Sequence, residues 1–220
     1  MPMLKKLLIF PFGGTARETL LIIEDINRHR KTWDVLGFID DDPKSWGQGL
    51  NGVKVLGGRD KLKKFPSAQI IAVPSDPKSY LKKKSIVDLL DLDPSRFATI
   101  IHPSAVVSAD SRIGYNTVIM PHTFISCGVT VGNHVAILPN TVISHDSSIG
   151  DYCFIGAHVA ISGTVHIKSQ SFIASGSTIR DHINIGEKSF IGLGSNVVKD
   201  VQKNVVIAGN PARILSRKMK

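Results

Sequence analysis

At 220 residues with 42% hydrophobic content, the chain has enough apolar material for one large or two small buried cores. No apolar run approaches the length of a bilayer span, and Leu7 to Phe10, after Lys5 and Lys6, is too short for the apolar region of a secretion signal, so a cytoplasmic setting and no membrane partner are expected. Two cysteines, Cys127 and Cys153, exclude a disulfide framework; the charge of +9 suggests anionic partners, but 6% aromatic residues without regular interleaving among the lysines argues against nucleic acid.

The first hundred residues alternate apolar runs with helical patterns. A strand over Lys6 to Phe10 meets Gly13-Gly14, and Thr15 is expected to open an amphipathic helix through about Arg30, with Thr15 and Glu18 at capping-box spacing. A strand over Asp34 to Ile39 ends in Asp40-Asp41-Asp42-Pro43. Beyond it the pattern gives a strand near Val53 to Leu56, a helix near Arg59 to Lys64, a strand over Gln69 to Val73 and a lysine-rich helix from Pro77 to Leu90. This order predicts a small α/β domain with a parallel sheet and Rossmann-like connections. Ligands on such sheets sit beyond the carboxyl ends of the strands, which makes Gly13, Gly14, Asp40, Asp41 and Ser75 candidate substrate contacts. The glycine pair could present backbone N–H groups to a phosphate, and the carboxylates could accept from ribose or base hydrogens. A tight turn without a ligand is the competing reading for both segments.

From residue 101 to 197, Ile or Val stands at every sixth position without a gap, from Ile101, Val107 and Ile113 to Ile185, Ile191 and Val197. Four residues after most of them comes a small or β-branched side chain such as Thr117, Val129, Thr141, Ser147 or Cys153. A period of six fits neither an amphipathic helix nor a plain two-sided strand. It fits short strands joined by tight turns, three to a coil of about 18 residues, with the aliphatic side chains stacked in columns. Gly and Asn at the corners permit positive φ.

The repeat resembles that of the hexapeptide-repeat acyltransferases, and this resemblance implies a left-handed parallel β-helix, trimerisation about an axis along the prism, and acetyl-CoA as acyl donor. With its small βαβ domain and Ile39-Asp40-Asp41 segment, nearly the whole chain resembles the sugar acyltransferases of the sialic acid O-acetyltransferase and bacillosamine N-acetyltransferase group. On that reading residues 1–96 bind a nucleotide-linked sugar and residues 97–220 form the acyltransferase prism with a C-terminal cap. Pro11 and Ala16 stand where that group carries glycines, and Pro74-Ser75 replaces a glycine-containing turn.

Acyl transfer to an amine or hydroxyl needs a base and a donor for the developing oxyanion. Seven histidines fall within the repeat. His145 occupies the third position of its hexad, Asp146 follows it, and the residues 18 before and after it are Cys127 and Gly163. Spacing alone allows a base with its carboxylate partner or a polar corner residue. The resemblance implies that His145 is the base, that Asp146 steadies it, and that Ser162-Gly163 lies beside the acyl group with the Gly163 N–H on the oxyanion. It also implies that Asn210, Pro211, Ala212 and Arg213, after Gly209, border the adenine end of CoA, that pantetheine runs past Ser175, Gly176, Gly192 and Gly194, and that Arg213 or Arg217 stands near phosphate. His122, His134, His158 and His182 all fall at fourth positions and read as outward corners or subunit contacts. No two histidines are five apart, so the zinc arrangement of γ-carbonic anhydrases is not expected and no metal is assigned. The expected activity is direct N-acetylation of a nucleotide-linked amino sugar; O-acetylation of a sialic-acid-like sugar, or sugar binding without catalysis, remain open.

Overall fold

In the computed structural model, residues 4–216 are described, and the chain divides into two compact units, Met1–Ile100 and Ile101–Lys220. The first contains β1 (Lys5–Phe10), α1 (Gly14–His29), β2 (Trp33–Phe38), the two-residue β3 (Gly49–Leu50) and β4 (Val53–Lys54), β5 (Gln69–Ala72) and α2 (Lys83–Asp88). β1 lies between β2 and β5 in a parallel sheet. Its Leu7 to Phe10 are fully buried, and Ala16, Leu20 and Ile23 of α1, three to four residues apart, are buried with them.

Four local expectations are corrected. α1 starts before Thr15: Gly13 is the N-cap and uses no side-chain bond, because the Gly13 N–H already turns back onto the Pro11 carbonyl at 2.8 Å. The strand expected near Val53 is only half parallel, since β4 pairs antiparallel with β3 and Val55 alone bridges Phe38. The lysine-rich helix is short, because the Asp76 carboxylate accepts from the Lys78 N–H and the Ser79 hydroxyl and holds residues 76–79 as a turn; a 3₁₀ turn, Tyr80–Lys82, then leads into α2. Residues 59–64 are likewise 3₁₀ rather than α-helical.

The second unit is a three-sided parallel β-helix. Two-residue strands recur every six residues and pair with strands 18 residues away, as Ile125 pairs with Val107 and Ile143. A first face carries the strands ending at Ile101, Ile119, Ile137, Ile155, Ile173 and Ile191; a second, those ending at Val107, Ile125, Ile143, Ile161, Ile179 and Val197; a third, those ending at Ile113, Val131, Ile149, Ile167 and Ile185. The sixfold aliphatics point inward and merge with Val129, Val135, Cys153, Val159 and Val165 into one continuous core. Up to Ser177, where the fifth position is Ser or Thr its hydroxyl donates to the carbonyl fifteen residues on, as Thr141 does to Gly156 at 2.8 Å and Ser171 to Gly186 at 3.1 Å; Ser189 and Ser195, in the last coil, donate to Gln202 and Gly192 instead. Buried polar side chains are therefore satisfied throughout the described residues.

From Asn116 to Gly194 the fourth position of the hexads adopts the left-handed backbone, and glycine and asparagine are not needed for it: Asp146, Tyr152, His158, Gln170 and Lys188 all have φ between 55° and 60°. Such a residue costs about 1–2 kcal/mol. The ladder supplies the compensation, since each N–H at this position donates to the coil before, as Asn140 does to Pro121 at 3.1 Å and His158 to Pro139 at 3.0 Å. At the C-terminus Val206–Gly209 and Ala212–Ser216 form an antiparallel hairpin on the last strand of the first face, so the cap expected there is made of strands. Arg217 lies outside the described residues.

The aliphatic column makes a stability test straightforward. Ile155, fully buried at mid-prism, should lose about 2–5 kcal/mol on Ile155→Ala. Ile101→Ala, at a site 41% exposed, should cost much less. Denaturant titration of both variants reads the difference.

Candidate active site

His145 and Asp146 occupy the corner between the second and third faces. Asp146 takes the left-handed backbone, with φ 58°, and its N–H donates to the Cys127 carbonyl at 3.0 Å. That turn swings its carboxylate back onto its neighbour: Nδ1 of His145 lies 2.9 Å from Oδ2 of Asp146. A carboxylate accepts but cannot donate, so the ring proton is placed on Nδ1 and Nε2 is left with a free lone pair. Both side chains are open, 58% and 67% exposed.

Gly163 stands one coil further on. A methyl group on its Cα would lie 2.6 Å from Nε2 and 2.7 Å from Cε1 of His145, so the imidazole lies directly over the glycine. The space that a side chain would take here is therefore filled by the ring itself. The Gly163 N–H makes no hydrogen bond among the described residues. At three other third positions the residue 18 further on caps this group: Asn133 accepts from the Tyr115 N–H at 3.0 Å, Asp151 from Asn133 at 2.7 Å and Ser175 from Ala157 at 3.1 Å. Asp181 holds that place beyond Gly163, but its carboxylate is turned to His182 Nε2, 3.7 Å away. The Cα of Gly163 thus lies against the basic nitrogen, and its N–H is uncapped.

The other candidates are distributed over separate parts of the fold. Ser175, Gly176, Gly192 and Gly194 lie on the corner between the first and second faces, a different edge from His145. At that corner a Cβ on Gly194 would meet nothing within 4 Å and one on Gly176 only the Gly194 backbone at 3.8 Å, beside the exposed Leu193. Asn210 and Pro211 form the turn of the terminal hairpin, and Asn210 Oδ1 accepts from Asn196 on the second face at 3.2 Å. Ala212 and Arg213 follow on the second hairpin strand and, with Lys199, line a cavity of about 300 Å³ at the end of the prism.

In the first unit Gly13 and Gly14 face open space at the carboxyl end of β1. Ser75 donates to the Thr15 hydroxyl at 2.6 Å, tying the turn after β5 to the start of α1. Asp40 accepts from the Phe12 N–H at 2.7 Å and the Asp42 N–H at 2.8 Å, and Asp41 takes the Arg59 N–H at 2.9 Å and its guanidinium at 2.6 Å. Both carboxylates therefore staple their loops. Arg59 and Trp46, whose indole N–H donates to the Asp40 carbonyl at 2.8 Å, complete this surface and carried no sequence signal for a site, and Thr15, read from the sequence only as a helix cap, is buried beneath Ser75.

Among the remaining histidines, His122, His158 and His182 are exposed, whereas His134 is buried against the expectation of an outward corner. It stacks on Tyr152 at 4.5 Å, meets Tyr115 edge-on at 5.0 Å and lies 2.8 Å from the Asn116 amide, so neighbouring corner residues cover it. Among the described residues no group of three His, Cys, Asp or Glu side chains could hold a metal ion, and no helix is long and apolar enough to cross a membrane.

Residues 128–163 match the family of the bacterial transferase hexapeptide (six repeats). No curated protein matches the chain by sequence. PerB from Caulobacter crescentus, solved with CoA and GDP-perosamine, has a TM-score of 0.81 at 24% identity, over 96% of this chain and 97% of that one. The acetyltransferase domain of PglB from Neisseria gonorrhoeae, solved with acetyl coenzyme A, has a TM-score of 0.82 at 23% identity, over 97% and 100%. A GDP-perosamine N-acetyl transferase from Caulobacter crescentus in which one histidine is replaced by alanine, again with CoA and GDP-perosamine, has a TM-score of 0.81 at 24% identity, over 96% and 97%. The prism is thus a left-handed hexapeptide-repeat β-helix, and the chain has the fold of these structures.

The stacking of His145 over Gly163 is open to direct test. With a methyl at 2.6 Å from Nε2, Gly163→Ala should push the imidazole aside by about an ångström, to ordinary van der Waals distance. A crystal structure of the variant measures it, and an unmoved ring would contradict the geometry.

Proposed function

We propose that this protein is an acetyl-CoA-dependent N-acetyltransferase acting on a nucleotide-linked amino sugar, and that it works as a homotrimer in the cytoplasm, where both substrates are made. The observation that carries this reading is the basic Nε2 of His145, backed by Asp146 at 2.9 Å and set beside the free Gly163 N–H, on a fold whose solved examples hold CoA.

The chemistry follows from those positions. His145 Nε2 takes the proton of the attacking amine as nitrogen bonds to the thioester carbonyl, and Asp146 keeps Nδ1 protonated while the ring is charged. The Gly163 N–H donates to the carbonyl oxygen as negative charge builds on it. When the tetrahedral adduct collapses, His145 returns the proton to the leaving thiolate. The bare corner of Ser175, Gly176, Gly192 and Gly194 suits an extended pantetheine arm, whose amides pair with backbone, and Asn210, Pro211, Ala212 and Arg213 suit its nucleotide end. Residues 1–96 take the acceptor: Gly13 and Gly14 leave room for phosphate, Ser75 lies beside them, and the oxygens of Asp40 and Asp41 keep lone pairs for ribose or base hydrogens.

The trimer reading rests on two features of one prism. Its base and its pantetheine corner are on different edges, so a single chain does not assemble both halves of the site. The second face, which runs between those edges, carries an outward row of exposed apolar side chains, Val106, Phe124 and Val142, while the third face carries Arg112, Thr130, Ser148, His166 and Asn184. Packing of a neighbouring prism on the second face would bury this row and close the site.

Thiol release from acetyl-CoA should be seen with a nucleotide 4-amino sugar in a panel that includes free sialic acids. His145→Ala should lower turnover by about a hundredfold or more with little change in KM for acetyl-CoA; near-normal turnover would remove His145 from the mechanism. Light scattering should give three times the 23.9 kDa chain mass, and Phe124→Asp should shift it towards the monomer.

A further inference from the structure

An exposed His–Asp pair is not held in place by its own attraction, which is worth only about 0–1 kcal/mol at a solvated surface. Its geometry must be imposed by the neighbouring coils. Above the pair, Gly163 accommodates the imidazole. Below it, one coil earlier than Asp146, stands Gly128, the one glycine in the corner column of Asp110, Asp146, Thr164 and His182. Gly128 has φ 68°, and a Cβ there would lie 2.6 Å from Oδ1 of Asp146. The carboxylate that faces His145 with Oδ2 therefore rests with its other oxygen on the bare Cα of Gly128.

Left-handed backbone does not account for the glycine, because Thr164 and His182 hold the same conformation in the same column with φ 58° and 57°. Gly128 is also fixed from the other side: its N–H donates to Asp110 Oδ2 at 3.0 Å, and Asp110 Oδ1 accepts from the Ser108 hydroxyl at 2.6 Å. The Ser108 hydroxyl and the Gly128 N–H hold the Asp110 carboxyl below the usual carboxylate range. This braced corner leaves Gly128 little freedom to move away from an added side chain.

We propose that Gly128 is a positioning residue: by leaving its Cβ site empty it lets the Asp146 carboxylate sit where it orients His145. The inference rests on the acetyl-transfer reading for its kinetic consequence, but not for its structural one. Alanine at 128 would turn the Asp146 carboxylate, a flexible group at the end of its side chain, away from Nδ1 and leave the prism folded.

The test compares Gly128→Ala, Gly128→Asn, Asp146→Ala and the Gly128→Ala/Asp146→Ala double variant. Both Gly128 variants should lower kcat by about tenfold, in line with the sensitivity of catalysis to sub-ångström misplacement, with KM for acetyl-CoA and sugar within about twofold. In the Asp146→Ala background Gly128→Ala should cost nothing further, since the group it acts through is gone. An equal loss of kcat in both backgrounds, or no loss in either, overturns the proposal. A crystal structure of Gly128→Ala should show the Nδ1 to Oδ2 hydrogen bond broken; if it persists at 2.9 Å the proposal fails whatever the enzyme's substrate. Absence of turnover in the unaltered protein would instead strike the acetyl-transfer reading and leave the crystallographic result to decide.

Discussion

Everything in the prism depends on coils that stack in an 18-residue register without slippage. Each strand is only two residues long and gains its stability from pairing with the coils before and after it and from the aliphatic side chain it sends inward. A shift of one residue would turn Ile143 or Ile155 out to solvent and break the hydroxyl bonds of Thr141 and Ser147. The apolar column therefore fixes the corners, and the corners fix the chemistry.

This explains how an open surface can hold an oriented pair. The hydrogen bond from Asp146 to the Cys127 carbonyl sets one carboxylate, the bare Cα atoms of Gly128 and Gly163 set the room available to the carboxylate and the ring, and the ladder fixes all of these relative to one another. Most non-glycine corner residues cost conformational energy, and the same ladder compensates them. Flexibility is removed by repetition and not by burial, which leaves the edge that carries His145 and Asp146 open to solvent.

The fold was legible because a period of six has no competitor among helices and ordinary strands. Column arithmetic also stacked Gly163 on His145, since positions 18 apart must stack, while the choice of His145 and Asp146 as a site rested on the family resemblance. The same arithmetic separates Ser175 from His145, as 30 residues is no multiple of 18, so their placement on different edges was available from the spacing. The Gly163 N–H was expected on the oxyanion, but the contact of Gly128 with the Asp146 carboxylate and the turning of Asp181 away from Gly163 were not legible, because they depend on the direction of side chains. In the first unit the strands of the parallel sheet were found to within a residue or two and β3 was missed, while Asp40 and Asp41 became loop staples and Thr15 an interior helix residue for reasons that lie in tertiary partners, the Phe12 N–H, Arg59 and Ser75. His134 was misread because its cover comes from Tyr115 and Tyr152, 19 and 18 residues away.

The central claim, that stacked coils set a basic imidazole and a free backbone donor beside one acyl group, is tested most directly by a crystal structure of the protein with CoA. The sulfur should lie within about 4 Å of His145 Nε2 and near the Gly163 N–H, the distance at which a proton can pass between thiol and ring. CoA bound with its sulfur on another corner, or far from His145, would contradict it.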